Sequence, residues 1–303
     1  CLYFRNPVGL AAGFDKSAEL IKLFYMLNFG FTEVGSVTAG ESKGNPKPRL
    51  FRLPEDNAII NRMGLNNKGA SQVFKNLRKK PDYPVGVSIA KTNDSRILED
   101  KAIEDYLYTF DLLANLSDYI VLNISCLNTI DGMTFENPKY LDLLLLEIKA
   151  RNIKVPTLVK LSLDISINDL EQVLEVCDLH NIDGYVISNT SSKRENLTAP
   201  RKIIENIGKG GLSGKPIQRK STEMIKLVYG LTYGKVPIIG VGGINSAGSA
   251  YEKIKAGASL IEIFTGLIYE GPGLMGKINN GLVELLQRDG LSNISEAVGV
   301  ENK

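Results

Sequence analysis

Strand-like and helix-like segments alternate eight times along this chain, and that pattern constrains the fold more than any single motif. Apolar, largely β-branched runs fall near 7–12, 31–37, 84–89, 119–123, 156–161, 183–188, 236–240 and 259–264. Segments with apolar residues at helical spacing fall near 17–28, 68–79, 99–115, 137–151, 166–179, 218–230, 246–256 and 274–288. Near-continuous apolar strands belong to sheets covered on both faces, and strands that alternate with helices build parallel β/α architecture. Eight such strands close a barrel, so the expected fold is α/β, a (β/α)8 TIM barrel forming one domain over residues 1–303. No linker, low-complexity tract or repeat divides the chain. Ser166, and Asn245 with Ser246, are expected to cap the fifth and seventh helices.

Composition removes several functional classes. Lys and Arg number 36 against 34 Asp and Glu, a net charge of +2 that gives no electrostatic case for nucleic acid or for an anionic membrane surface. Cys1, Cys126 and Cys177 are odd in number and unpaired in spacing, which speaks against a disulfide framework and for a reducing compartment. No Cys and His cluster has metal-ligand spacing. His180, the sole histidine, ends a helical stretch and is expected to interact with that helix terminus, so a Ser-His-Asp triad is not expected. No apolar run has transmembrane length. The first strand begins almost at once, so a further amino-terminal segment is expected to precede this sequence.

The chemistry is expected at the carboxyl ends of the strands, where barrels of this kind bind ligands. The stretch DYIVLNISCLNT at 118–129 delivers Asn123, Ser125, Cys126 and Asn128 together. A thiol there can serve as base, since its reference pKa of about 8.5 is near neutrality. The competing reading is a small buried residue, and the flanking asparagines weigh against it. Lys160 interrupts the apolar strand TLVKL. It is read as the partner of an anionic cofactor, against an internal ion pair with a carboxylate such as Asp164. Gly240, Gly242 and Gly243 end the seventh strand and Phe264, Thr265 and Gly266 the eighth, the two positions that form the usual phosphate site. Gly210, Gly211 and Gly214 read as a third glycine-rich turn. Two connections, 38–67 and 189–217, are longer than a barrel needs and are expected to cap or line the site, with Asn61, Asn66 and Asn67 contacting ligand. A phosphate pocket, a wall lysine, amides and one cysteine without a metal site suggest a flavin mononucleotide (FMN) enzyme.

With those residues in view, the chain resembles the dihydroorotate dehydrogenase family nearly end to end. The motifs are NPVGLAAGFDK at 6–16, NPKPRLFRLPED at 45–56, INRMGLNN at 60–67, GGLSGKP at 210–216, PIIGVGGI at 237–244 and YEKIKAGASL at 251–260. They are closest to the membrane-associated, quinone-using class. The resemblance implies FMN-dependent oxidation of (S)-dihydroorotate to orotate in pyrimidine synthesis, with Cys126 at the position of the base. It implies substrate contacts from Lys16, Asn61, Asn66, Asn123, Asn128, Asn189 and Thr190. It implies flavin contacts from Ala12, Gly13, Ser36, Asn123, Lys160, Ser188, Gly214, Gly243, Phe264 and Thr265, with Lys160 stabilising the anionic reduced flavin. No metal is implied. Peripheral contact with the inner mitochondrial or bacterial cytoplasmic membrane is implied through the expected amino-terminal segment, with a cytoplasmic location as the alternative.

The sequence departs from that class at four positions. Cys126 stands where the quinone class has serine and the soluble classes have cysteine, and Leu127, Ser88 and Leu65 replace a usual proline, asparagine and phenylalanine. The motif set points to a quinone as electron acceptor, and the base residue to fumarate or NAD. The other readings are a tRNA-modifying flavin barrel, disfavoured by the near-neutral charge, and a phosphate-binding barrel without flavin.

Overall fold

The computed structural model describes residues 2–125 and 135–302. In chain order the strands are β1 (Val8–Leu10), β2 (Phe31–Val37), β3 (Leu50–Leu53), β4 (Ala58–Asn61), β5 (Val85–Ile89), β6 (Tyr119–Asn123), β7 (Thr157–Leu161), β8 (Gly184–Ile187), β9 (Gly211–Gly214), β10 (Ile238–Val241) and β11 (Leu260–Ile263). The helices are α1 (Ile21–Met26), α2 (Ala70–Leu77), α3 (Asp100–Leu113), α4 (Pro138–Ala150), α5 (Ile167–Leu179), α6 (Arg201–Ile207), α7 (Gln218–Leu231), α8 (Ala247–Ala256), α9 (Thr265–Glu270) and α10 (Leu274–Arg288). Eight strands close into a parallel barrel in the order β1-β11-β10-β8-β7-β6-β5-β2, and β1 pairs with β2 to complete it. These are the eight strands the apolar runs predict. The capping expectations also hold: Ser166 accepts from the Asp169 amide at 3.1 Å, and Ser246 and Ser249 form a capping box at the start of α8.

Two cores follow from strand alternation. Residues facing outward pack beneath the helices, while Ala11, Phe31, Tyr119, Val121, Leu158, Val186, Ile239 and Val241 fill the barrel interior. Large rings are accommodated there because glycines stand beside them. A Cβ on Gly9 would lie 2.3 Å from the Phe31 ring, and one on Gly86 would lie 2.1 Å from the Tyr119 ring.

The differences from the sequence reading have local causes. The first helix spans only Ile21–Met26, because the buried Asp15 carboxylate takes the amides of Glu19 and Leu20 at 2.9 and 2.7 Å and holds the preceding residues in a turn. The KGGLSG stretch is not a free turn. Its Gly211–Gly214 is β9, which pairs with β4, and β4 with β3, in a three-stranded antiparallel sheet that joins the two long connections. His180 caps the end of α5 as expected, its amide bonding the Val176 carbonyl, and its Nε2 also meets Asp142 Oδ1 of α4 at 2.7 Å, an interhelical tie. Cys177 is wholly buried, and burial pushes its thiol up to about 12 despite a hydrogen bond with Tyr185, which leaves it inert at neutral pH.

Candidate functional site

The carboxyl ends of the barrel strands and the three-stranded sheet enclose a cavity with about 1260 Å³ of empty space, its open mouth included. Leu50, Ile59 and Asn61 reach it from β3 and β4, and Ser213 and Gly214 from β9. The sheet is therefore a cover on the catalytic face and not a plug at the opposite end. Asp56 fastens it down by accepting from the Thr198 amide and hydroxyl, both at 2.6 Å, and from the Ala199 amide at 3.1 Å.

Barrel pairing sets the polar wall. Asn123 is in register with Lys160, so the last residue of β6 and the lysine of β7 stand side by side. Asn123 Nδ2 donates to Ser36 Oγ at 2.8 Å, and Ser36 Oγ meets Ser88 Oγ at 2.8 Å. Asn189 Nδ2 donates to Asn123 Oδ1 at 3.2 Å and to Ser125 Oγ at 3.0 Å, while Asn189 Oδ1 accepts from the Thr190 amide at 2.8 Å. Tyr106, inside α3, donates its hydroxyl to the Asn123 carbonyl at 2.6 Å. These bonds orient the amide groups before any ligand arrives, which is what a site selective for a small polar ring requires.

The opposite side is a backbone surface. Gly242 (φ +118°) and Gly243 (φ +72°) hold left-handed conformations that favour glycine, and both line the cavity. Backbone amides at such a turn suit a phosphate group. Lys160, 6% exposed, lies in the cavity wall and donates to Glu33 Oε1 of β2 at 3.2 Å. Lys160 therefore has both an internal carboxylate and access to the cavity, so the two sequence readings are not exclusive. Asp164, the carboxylate named in the competing ion-pair reading, instead accepts from Lys220 of α7 at 2.8 Å.

Most of the residues singled out from sequence meet in this one cavity. Ala12, Gly13, Lys16, Ser36, Asn61, Asn123, Lys160, Ser188, Asn189, Thr190, Gly214, Gly243, Phe264 and Thr265 all line it. Asn66 does not, and its Oδ1 is buried without a hydrogen-bond partner among the described residues. Asn67 is structural: its side chain donates to Thr38 Oγ1 and to the Leu65 carbonyl. Cys126, Leu127 and Asn128 lie outside the described residues. Glu33 and Glu262 were not singled out from sequence, although each is an acid inside an apolar strand, the same signal that marks Lys160.

Comparisons with known proteins agree with this geometry. The family described as dihydroorotate dehydrogenase matches residues 1–286. A curated relative from Trichodesmium erythraeum, named dihydroorotate dehydrogenase (quinone), is 44% identical over all of this chain and 82% of its own length. One of the same name from Halobacterium salinarum is 43% identical over 98% of this chain and 84% of its own. A crystal structure of DHODH from Eimeria tenella in complex with ferulenol superposes with a TM-score of 0.91 at 32% identity, covering 100% of this chain and 87% of that one.

Proposed function

The chain belongs to the dihydroorotate dehydrogenase family, and from that premise we propose that it oxidises (S)-dihydroorotate to orotate with FMN as cofactor and a quinone as electron acceptor. The observation that carries the reading is the single cavity in which a glycine turn, a wall lysine and a pre-oriented set of amides converge. The residues fit FMN. Gly242 and Gly243 present a backbone surface for its phosphate, Lys160 a cation for the edge of the ring that gains charge, and Ser36, Asn123 and Ser188 hydrogen-bonding groups for its polar rim. FMN, when bound, supplies the hydride acceptor.

The protein's part is binding, orientation and proton transfer. The Lys16 ammonium and the side chains of Asn61, Asn123, Asn189 and Thr190 hold the substrate carboxylate and ring, with Asn128 assigned to the same task by motif. Cys126 takes the proton from C5 of the substrate as the hydride leaves C6. The antiparallel cover excludes water and so strengthens each of these polar interactions.

Quinone as acceptor is supported by the names of the curated relatives, which outweigh the cysteine at the base position. A quinone is dissolved in a bilayer, so the enzyme works at a membrane surface. No helix among the described residues is long and apolar enough to cross a membrane, which is consistent with peripheral contact. The test is stopped-flow reoxidation of the substrate-reduced enzyme by a ubiquinone analogue, fumarate and NAD in turn. Fast reoxidation by the quinone alone is expected, and fast reoxidation by either of the others overturns the acceptor assignment.

A further inference from the structure

One cluster of charges in the barrel interior is left unexplained by ligand binding alone. Glu33 of β2 and Glu262 of β11 are fully buried, and Lys160 of β7 is 6% exposed. Lys160 and Glu262 line the base of the cavity. Lys160 donates to Glu33 Oε1, but Glu33 Oε2 and both oxygens of Glu262 receive no hydrogen bond from any described residue. The fourth group facing this layer is the Tyr119 hydroxyl of β6, also without a partner among the described residues. Two ionised carboxylates against one ammonium would seal a net negative charge in the barrel and leave three acceptor oxygens without donors. Buried charge of that kind is strongly disfavoured. β11 and β2 both pair with β1, so only one strand separates Glu262 from Glu33 and their charges bear on each other, and a single proton supplies a missing donor and cancels the excess charge together.

We propose that Glu33 and Glu262 share one proton, making Glu33, Lys160 and Glu262 a neutral unit in which one carboxylate charge, and not two, faces the Lys160 cation beneath the cofactor. Titration agrees in direction. Burial first, and then the neighbouring Glu33, hold the Glu262 carboxyl well above the usual range, with Lys160 opposing. The functional consequence rests on the FMN reading above. A cofactor that gains negative charge in this cavity meets a neutral floor with its cationic end exposed, and not a net anion that would make reduction harder.

The arrangement predicts an unusual non-additivity. Removing either carboxyl leaves the other as the ionised partner of Lys160, so E33Q and E262Q should each keep the two-electron flavin potential near that of the unaltered enzyme. The double variant E33Q/E262Q uncovers the cation and should favour the reduced cofactor at least tenfold, a rise of about 30 mV. Infrared difference spectra of the unaltered protein minus each single variant, taken at about pH 9 where ordinary carboxyls are ionised, should show one protonated carboxylic acid band lost in both cases. Absence of that band, or a tenfold shift in potential from either single variant, would mean that both acids are ionised and would overturn the proposal. The infrared result needs no flavin and no double variant. Protein that fails to bind FMN therefore counts against the cofactor reading, while the shared proton is still decided.

Discussion

Asp164→Asn should loosen the substrate side of the cavity by a calculable amount. Asp164 follows β7 and is a hub: it accepts from Lys220 Nζ at 2.8 Å, from the Ser191 hydroxyl at 2.8 Å, and from the Ser192 amide and hydroxyl at 2.6 and 2.8 Å. Ser191 and Ser192 directly follow Asn189 and Thr190, so one carboxylate holds the loop that carries two of the ligand-facing groups. Burial works to raise this carboxyl, but the Lys220 ammonium and the two serines outweigh it and hold it at about 2 against an ordinary 3.8. A carboxyl depressed in the folded state contributes stability that is present above its unfolded pKa and is lost as pH falls through the folded one. The difference corresponds to about 2.4 kcal/mol at pH 7 and roughly 1.3 kcal/mol at pH 3. Urea denaturation of the unaltered protein and of D164N should therefore differ by about 2 kcal/mol at pH 7, with about half that gap at pH 3. The looser loop should raise KM for dihydroorotate more than it lowers kcat. A gap that is absent at pH 7, or that does not narrow on acidification, would refute the assignment of Asp164 as an ionic anchor.

Other perturbations test other parts of the account. Glu136, which accepts from the Ser162 amide at 3.1 Å, is raised by burial to about 7. Its folded form stays protonated where the unfolded form is ionised, so stability should fall as pH rises from about 4.5 to 7, and E136Q should be more stable than the unaltered protein at pH 8 by up to about 3 kcal/mol but not at pH 4. G86A should cost about 1–3 kcal/mol through overlap with the Tyr119 ring. Adding Y119L should recover much of that cost in thermal melts, and equal losses in the single and double variants would contradict the packing argument. C126A should bind flavin normally but slow flavin reduction by several orders of magnitude, whereas near-normal single-turnover reduction would remove Cys126 from the role of base. C126S tells which base the pocket is adapted to: appreciable activity marks a serine-adapted pocket and near-complete loss a cysteine-adapted one.

The barrel was legible because its signal is redundant. Each buried strand is a continuous apolar run and each helix carries its own spacing or cap, as at Ser166 and Ser246. The antiparallel cover was less legible, since β9 is built from GLSG, whose composition reads as a turn until β4 supplies its partner. The same limit applies to side-chain partners. Lys160 could be recognised as exceptional inside its strand, but its partner Glu33 is 127 positions away, and only barrel closure brings the two together. Local spacing suggested Asp164 instead. Among the asparagines of INRMGLNN, sequence proximity implied a shared role, yet Asn61 ends a strand facing the cavity while Asn67 is consumed by its own loop.

Anaerobic mixing of the FMN-loaded protein with (S)-dihydroorotate decides whether this cavity joins a flavin to dihydroorotate. Bleaching of the flavin absorbance in one turnover, with one orotate formed per flavin, is the predicted result. A flavin that stays oxidised in the presence of saturating dihydroorotate would contradict the account.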